Sequence, residues 1–325
     1  MSLLSYLREK IYPGINAGLA FLSRSPGIYT DHGPEHFDEV VRYAGFLLEK
    51  PLKDGTEIGL GPYDVFLLLM AIRLHDTGNI AGREHHERRV GEILAKVPNA
   101  CSDRFEADLV TRIAAAHGGK TEAGSKDTIA ELPERDTIGA GPCSPRAIAA
   151  LVRFADEICE HRGRAAIVLL ESGRLPPGNK LFHLYAASIK SAMPHRETKT
   201  FKLKLNFDSK NLEKKFPTPL HKQQRPDEHY LLDDAYERIA KLNAERIYCN
   251  RFIDPVLRTD RIEAEISIVR QVRIEGQVVT QKWAKPKVVI IEEQGYPEPD
   301  GLWKGQLRGM SGSAIAKKLA KEKDR

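Results

Sequence analysis

Cysteine is scarce and scattered. Cys101, Cys143, Cys159 and Cys249 are the full complement, and no two stand in a C-x-x-C spacing. That argues against a disulfide framework and against a cysteine-ligated zinc site. Long apolar runs are missing too. The longest without charge covers residues 65–72, far short of the ~20 residues a membrane-spanning helix needs. The opening MSLLSYLREKIYPG meets charge and proline too early for a secretory signal. The expected address is therefore the cytoplasm, with no membrane partner. No P-loop, complete G-x-G-x-x-G, H-E-x-x-H or G-x-S-x-G motif occurs, and no internal repeat is visible.

The rest of the composition is that of a soluble globular chain. Its 325 residues, 41% hydrophobic and 29% charged, allow one large domain or two medium ones. The formal charge of +5 is spread unevenly, with lysines crowded into residues 199–222 and into the final KKLAKEKDR. Such an excess permits phosphate-bearing partners without requiring them. The basic stretches could follow a nucleic-acid backbone. Aromatic residues for base stacking are sparse there, however, which favours a solvated face.

The first half reads as helices: residues 2–23, interrupted at Pro13-Gly14; 30–50, with Pro34 in the first turn; 63–76, with Asp64 as a cap; then 84–96, 103–117 and a long one over 145–171. The segment 118–145 is rich in turn residues and is expected to be loop, partly mobile. After LPPGN (175–179) the character changes. One more helix over 180–192 is followed by FKLKLNF (201–207), which alternates with period two as a strand should. A charged helix over 227–253 and strands in RIEAEISIVRQVRI and KPKVVIIEE complete a strand-helix-strand-strand order. The expected fold class is mainly α, with a helical domain over 1–194, a small α+β unit over 195–297 and a basic, unstructured tail over 298–325.

The stretch LLLMAIRLHDTGN (67–79) is the centre of the functional reading. An apolar helix runs into His75-Asp76 and stops at Gly78. Two polar side chains at the end of a buried helix want water, a partner or a metal. Adjacent helical residues point roughly 100° apart, so the pair meets one ion only where the helix ends, or Asp76 bridges two. Further histidines and acids recur at helix ends: His32 and His36, four apart; His85-His86; His117 in RIAAAHGG; and Asp156 in RFADEICEHRGR. Imidazole with carboxylate suits Mn, Fe, Zn, Ni or Co.

These segments, taken together, resemble the HD superfamily of metal-dependent phosphohydrolases, whose pattern is H…HD…D on a helical bundle. His36 followed by FDEVV, LHDTGN and RFADEICEHRGR match its three motifs in order. The resemblance implies an HD-type bundle with His36, His75, Asp76 and Asp156 as ligands. HERRVGEIL from His86 is similar to a segment of the HD-GYP branch, and His117 falls where that branch carries a histidine. The resemblance thus implies a second ion held by His86 and His117. Asn79 stands where the family has lysine and no G-Y-P signature is present, so cyclic-dinucleotide specificity does not carry over. TDHGPEH is similar to HD domains of bacterial conflict and signalling proteins.

The implied activity is hydrolysis of a phosphoester, a nucleotide or signalling nucleotide, by metal-activated water, with His75 and Asp76 at its centre and no Ser or Cys nucleophile. Lys120, Arg153 and Arg164 are the candidate phosphate-binding cations, Arg164 ahead because arginine can bind bidentately. His32 is a further ligand or an orienting partner of His36. His85 could exchange roles with His86, and His183 is a substrate contact or a core residue. His161 is expected on the surface, and Thr30 and Asp31 as caps. Two other readings stand beside this one: an HD nuclease whose basic C-terminal region guides a single strand, and a regulatory HD module with little turnover that docks a partner protein or a second copy.

Overall fold

A computed structural model describes residues 2–23, 28–55, 57–97, 99–138, 141–218, 227–274, 277–285, 287–291 and 306–323. Helix predominates, and the chain divides into two compact units. The first comprises Met1–Cys159 with Arg246–Arg258, and the second Glu160–Glu245 with Thr259–Arg325.

The first unit is helical. A short α1 (Leu3–Tyr6) passes through a π-helical turn, Leu7–Ile11, into α2 (Tyr12–Leu22). Then come α3 (Pro34–Lys53), α4 (Pro62–Leu74), α5 (Val90–Leu94) and α6 (Arg104–Ala115). A small antiparallel pair, β1 (Asp136–Ile138) and β2 (Gly141–Cys143), precedes α7 (Pro145–Ile158). Helix α7 packs against α3, α4 and α6. It therefore buries residues on nearly every side, including Ile148, Leu151, Val152, Phe154, Ala155 and Ile158. Ala149 and Ala150 are fully buried as well, and small side chains let neighbouring helices approach. Helix α3 presents one stripe, Phe37, Val40, Tyr43, Ala44, Leu47 and Leu48, at the three- and four-residue spacing of a single helical face.

Local chemistry sets where α4 starts. Its N-cap is Gly61, with Pro62 at the first helical position. Asp64 is not the cap expected from sequence; it sits at the third helical position and accepts the Gly61 N–H at 2.8 Å. Its other oxygen accepts the N–H of Ser144 at 2.7 Å, which ties the start of α4 to the start of α7.

The second unit holds α8 (Ile167–Glu171), α9 (Pro177–Ser188), the strands β3 (Ile189–His195), β4 (Thr200–Asp208), β5 (Lys215–Pro217) and β6 (Glu228–Tyr230), and α10 (Leu231–Asn250) as far as Glu245, the rest of that helix being counted in the first. It continues with β7 (Arg261–Ile274), β8 (Gln277–Ala284), β9 (Lys287–Ile291) and α11 (Gly312–Lys323). Its main sheet has five strands centred on β7. One edge of β7 pairs with β4 in parallel. The other is shared by β9 against Arg261 to Glu265 and β8 against Ile268 to Ile274, both antiparallel. Alternation holds as a half-buried strand requires: Phe201, Leu203, Leu205 and Phe207 are buried along β4, and Ile262, Ala264, Ile266 and Ile268 along β7.

Several expectations are corrected. The helix expected over 145–171 is two, because the chain leaves α7 at Cys159 (φ −73°, ψ 66°) and turns through Arg162–Arg164. The helix expected over 180–192 ends at Ser188, where β3 begins. The compact units do not follow the linear division at 194. The first unit closes at Cys159 and regains 246–258, where the Tyr248 hydroxyl accepts the Ile129 N–H at 3.0 Å and its ring lies under the Arg153 guanidinium. The tail is not unstructured where it is described, since α11 buries Ile315 and Leu319 completely; residues 298–305 lie outside the described ones. Among the described residues no helix is long and apolar enough to cross a membrane.

Candidate metal centre

Five separate stretches of the first unit deliver their polar side chains to one place. His36 comes from the first turn of α3, which starts at Pro34 after the turn 30–33. That turn is clamped: Asp31 accepts the Gly33 N–H at 3.1 Å and the Asn16 side-chain amide at 2.6 Å, while Asn16 accepts the His32 N–H at 3.1 Å. Asp31 thus stabilises the turn, and Gly33 is the helix N-cap. His75 and Asp76 come from the end of α4. The His75 N–H is the last to bond back into the helix, to Ala71, and the Thr77 hydroxyl donates to the Leu74 carbonyl. Asp76 has left helical geometry at φ −104°, ψ 6°, the sparsely populated bridge region where many active-site residues sit. That break lets two adjacent side chains face one centre.

His86 follows a 3₁₀ turn, Thr77–Ala81. Its main chain passes so near Gly78 that a β-carbon there would lie 1.9 Å from the His86 carbonyl oxygen. Gly78 does not end α4, which closes at Leu74 ahead of the expected stop; glycine is needed there because only it admits the loop carrying His86. The turn is also pressed against α2, where a β-carbon on Gly18 would lie 2.3 Å from the Ile80 carbonyl. His117 follows α6 and Asp156 lies in the last turn of α7.

Asp76 joins the set through both oxygens. Oδ1 lies 2.9 Å from His86 Nε2 and 3.5 Å from His117 Nε2. Oδ2 lies 2.9 Å from His32 Nδ1, 3.8 Å from His36 Nε2 and 3.9 Å from His75 Nε2. Asp156 Oδ1 completes the second side, 3.3 Å from His36 Nε2 and 3.6 Å from His75 Nε2. Three overlapping groups have metal-ligand spacing: His36, His75 and Asp156; Asp76, His86 and His117; and His32, His36 and Asp76.

The histidine hydrogen bonds fit a metal. His75, His86 and His117 each place Nδ1 against the carbonyl three residues back: Ile72 at 2.8 Å, Arg83 at 2.9 Å and Ala114 at 2.6 Å. A carbonyl only accepts, so each Nδ1 carries the hydrogen, and in the neutral ring Nε2 is left with a lone pair. His86 Nε2 and His117 Nε2 then face each other at 3.3 Å beside a carboxylate oxygen, three acceptors with a cation as their natural partner. His75 Nε2 is buried and makes no hydrogen bond. The donor set is therefore one that a divalent transition ion fits.

The same carboxylates also draw protons to the site in the absence of an ion. Burial alone would lower the His75 pKa, but the carboxylates of Asp76 and Asp156 outweigh it and raise it to about 9. Burial opposes ionisation of both carboxylates too; His75 with His117, His32 and His86 nevertheless holds Asp76 well below the usual range, and His36 with His75 does the same for Asp156. Burial keeps His117 below its ordinary value.

The remaining sequence candidates fall elsewhere. His85 lies outside the three groups, and its side chain is 65% exposed. It instead adopts φ +53°, the left-handed conformation that turns the chain into His86. Arg153 is committed to the fold, donating to Thr128 Oγ1 at 3.2 Å and stacking on Tyr248. Lys120 is exposed beyond α6 and pairs with neither Asp76 nor Asp156. Arg164 and His183 belong to the second unit. There His183 is fully buried and its Nδ1 accepts the Ala166 N–H at 3.1 Å, a structural role. His161, in the same unit, is half-buried rather than on the surface. Sequence reasoning missed Arg83, whose Nη1 lies 3.9 Å from Asp76 Oδ1. An arginine in a polar loop carries no periodic or motif signal that would have marked it.

Residues 27–241 match the family described as HD-CE. That span contains every residue of the three groups. No curated protein matches the chain.

Proposed function

Because the chain belongs to the HD-CE family, we propose that its HD-type domain is a metal-dependent phosphohydrolase acting on a phosphoester of a nucleotide or signalling nucleotide. The observation that carries this reading is Asp76, one carboxylate with an oxygen toward each of two histidine sets. His36, His75, Asp156 and Asp76 Oδ2 would hold one ion, and His86, His117 and Asp76 Oδ1 the other. Bound there, a transition-metal pair supplies Lewis acidity, which activates water near neutral pH and offsets phosphate charge.

The protein's part is positioning. The carbonyls of Ile72, Arg83 and Ala114 fix which ring nitrogen faces inward. His32 Nδ1, 2.9 Å from Asp76 Oδ2, steers that carboxylate. The second histidine pair supports a likeness to the binuclear HD-GYP pattern, while the missing G-Y-P signature leaves the substrate class broader.

The test begins with metal. Protein purified from medium supplemented with Mn, Ni, Co or Zn is expected to carry transition metal by elemental analysis, and Asp76→Ala and His75→Ala to lose most of it. Wild-type protein that takes up none of these ions would falsify the reading. A panel of mononucleotides, cyclic dinucleotides and labelled single strands, with Asp76→Ala as control, then separates nucleotidase from nuclease. Bound metal with no turnover across the panel points to a regulatory module.

A further inference from the structure

Going one step beyond the metal pair, and resting on the phosphohydrolase reading, we propose that Arg83 is the residue that grips the substrate's phosphate. Its main chain is fixed at both ends of the peptide. The Arg83 N–H donates to Ser23 Oγ at 3.0 Å, and its carbonyl accepts the Nδ1–H of His86 at 2.9 Å. Gly82, at φ +98°, makes this approach feasible, because a β-carbon there would lie 2.6 Å from the Leu22 carbonyl. The residue that orients ligand His86 by its backbone thus sends its side chain to the same side of the site.

The guanidinium Nη1 lies 3.9 Å from Asp76 Oδ1, the oxygen that faces His86 and His117. At that distance the contact is a charge interaction and not a hydrogen bond, so the five N–H donors are not spent on Asp76. The side chain is 44% exposed and within reach of solute. Among the described residues it is the only lysine or arginine that pairs with Asp76 or Asp156. Asn79, just beyond the His75-Asp76 turn, is fully buried and offers no charge.

Charge balance then points to the ligand. The centre contributes two carboxylates, Asp76 and Asp156, and several histidines. Two dications held there would exceed the charge of those carboxylates, and Arg83 adds one more positive group on the exposed side. Such a cluster would favour an anion beside the guanidinium. A phosphate group, with several oxygens to share between ions and a planar fork of donors, has the matching chemistry.

The experiment uses the full chain loaded with Mn²⁺ and inorganic phosphate as probe. Metal content, phosphate affinity by calorimetry, and turnover of p-nitrophenyl phosphate and bis(p-nitrophenyl) phosphate are compared among wild type, Arg83→Ala and Arg83→Lys. Alanine preserves both main-chain hydrogen bonds, so a structural role is retained while the guanidinium is lost. The expected result is unchanged metal content, phosphate affinity weakened on the order of tenfold or more, a raised KM, and partial recovery in Arg83→Lys, which restores charge but not the fork. Arg83→Ala that binds phosphate as tightly as wild type overturns the inference and leaves the metal centre standing. Loss of metal in Arg83→Ala overturns it too, by making Arg83 a support for His86. Wild type without metal overturns the phosphohydrolase reading itself.

Discussion

At the scale of single residues, Asp76 and His75 carry opposite charge in the same buried volume, and protons and metal ions compete for it. His75 has a folded pKa of about 9 against an ordinary 6.5, set by burial acting against the stronger pull of Asp76 and Asp156. A raised pKa means stabilisation that is fully present below the unfolded value and is lost as pH rises through about 9. An ion that takes His75 Nε2 must expel that proton. Metal affinity is therefore expected to climb with pH through the neutral range, on the order of tenfold per unit for one released proton. Calorimetric titration of Ni²⁺ in buffers of different ionisation enthalpy measures the proton directly. Affinity that stays flat across the range would contradict the assignment of His75 as a ligand.

At the scale of elements, the decisive piece is the 3₁₀ turn Thr77–Ala81 between the end of α4 and the loop bearing His86. It is gripped from two sides by backbone approaching glycine, Gly18 on α2 and Gly78 on the turn itself. Gly78→Ala puts a methyl group 1.9 Å from the His86 carbonyl oxygen, so the loop must move. The expected outcome is selective: the ion between His86 and His117 is lost, while that on His36, His75 and Asp156 remains. Elemental analysis reads this as a fall toward half the wild-type metal content, and equal loss at both positions would count against two separable sets. Gly18→Ala strikes the same turn from α2 and should lower the melting temperature, at a cost of roughly 1–3 kcal/mol typical of overpacking.

At the scale of the molecule, the first unit is a helical body around α7, and α7 supplies Asp156 to the candidate metal centre. The second unit is built on β7 and closes with α11. Its buried Leu319 and Ile315 make α11 part of that unit's core. Leu319→Ala is expected to destabilise by roughly 2–5 kcal/mol, as large-to-small core changes do. Thermal unfolding followed by circular dichroism checks it, and a change within experimental error would return this helix to the status of a loose tail. Metal content, read on the same variant, should not change, because no ligand of the three groups lies in the second unit.

The sequence by itself determined the candidate ligands of the first set and their order, because a metal needs particular residue types and the HD pattern spaces them along helices whose periodicity is plain. His36, His75, Asp76 and Asp156 could be read from the residues, and so could strand β4, whose alternation is a local property. Only the tertiary structure decided the rest. Which oxygen of Asp76 faces which histidines depends on four chain segments meeting, and so does the exclusion of His85 in favour of His86. The return of residues 246–258 to the first unit depends on Tyr248 meeting Ile129, 119 residues earlier in the chain, and Arg153. Gly78 and Arg83 were illegible for the same reason. Their roles rest on how the turn and loop between Asp76 and His86 fold back on themselves, and sequence records the residues but not the distances.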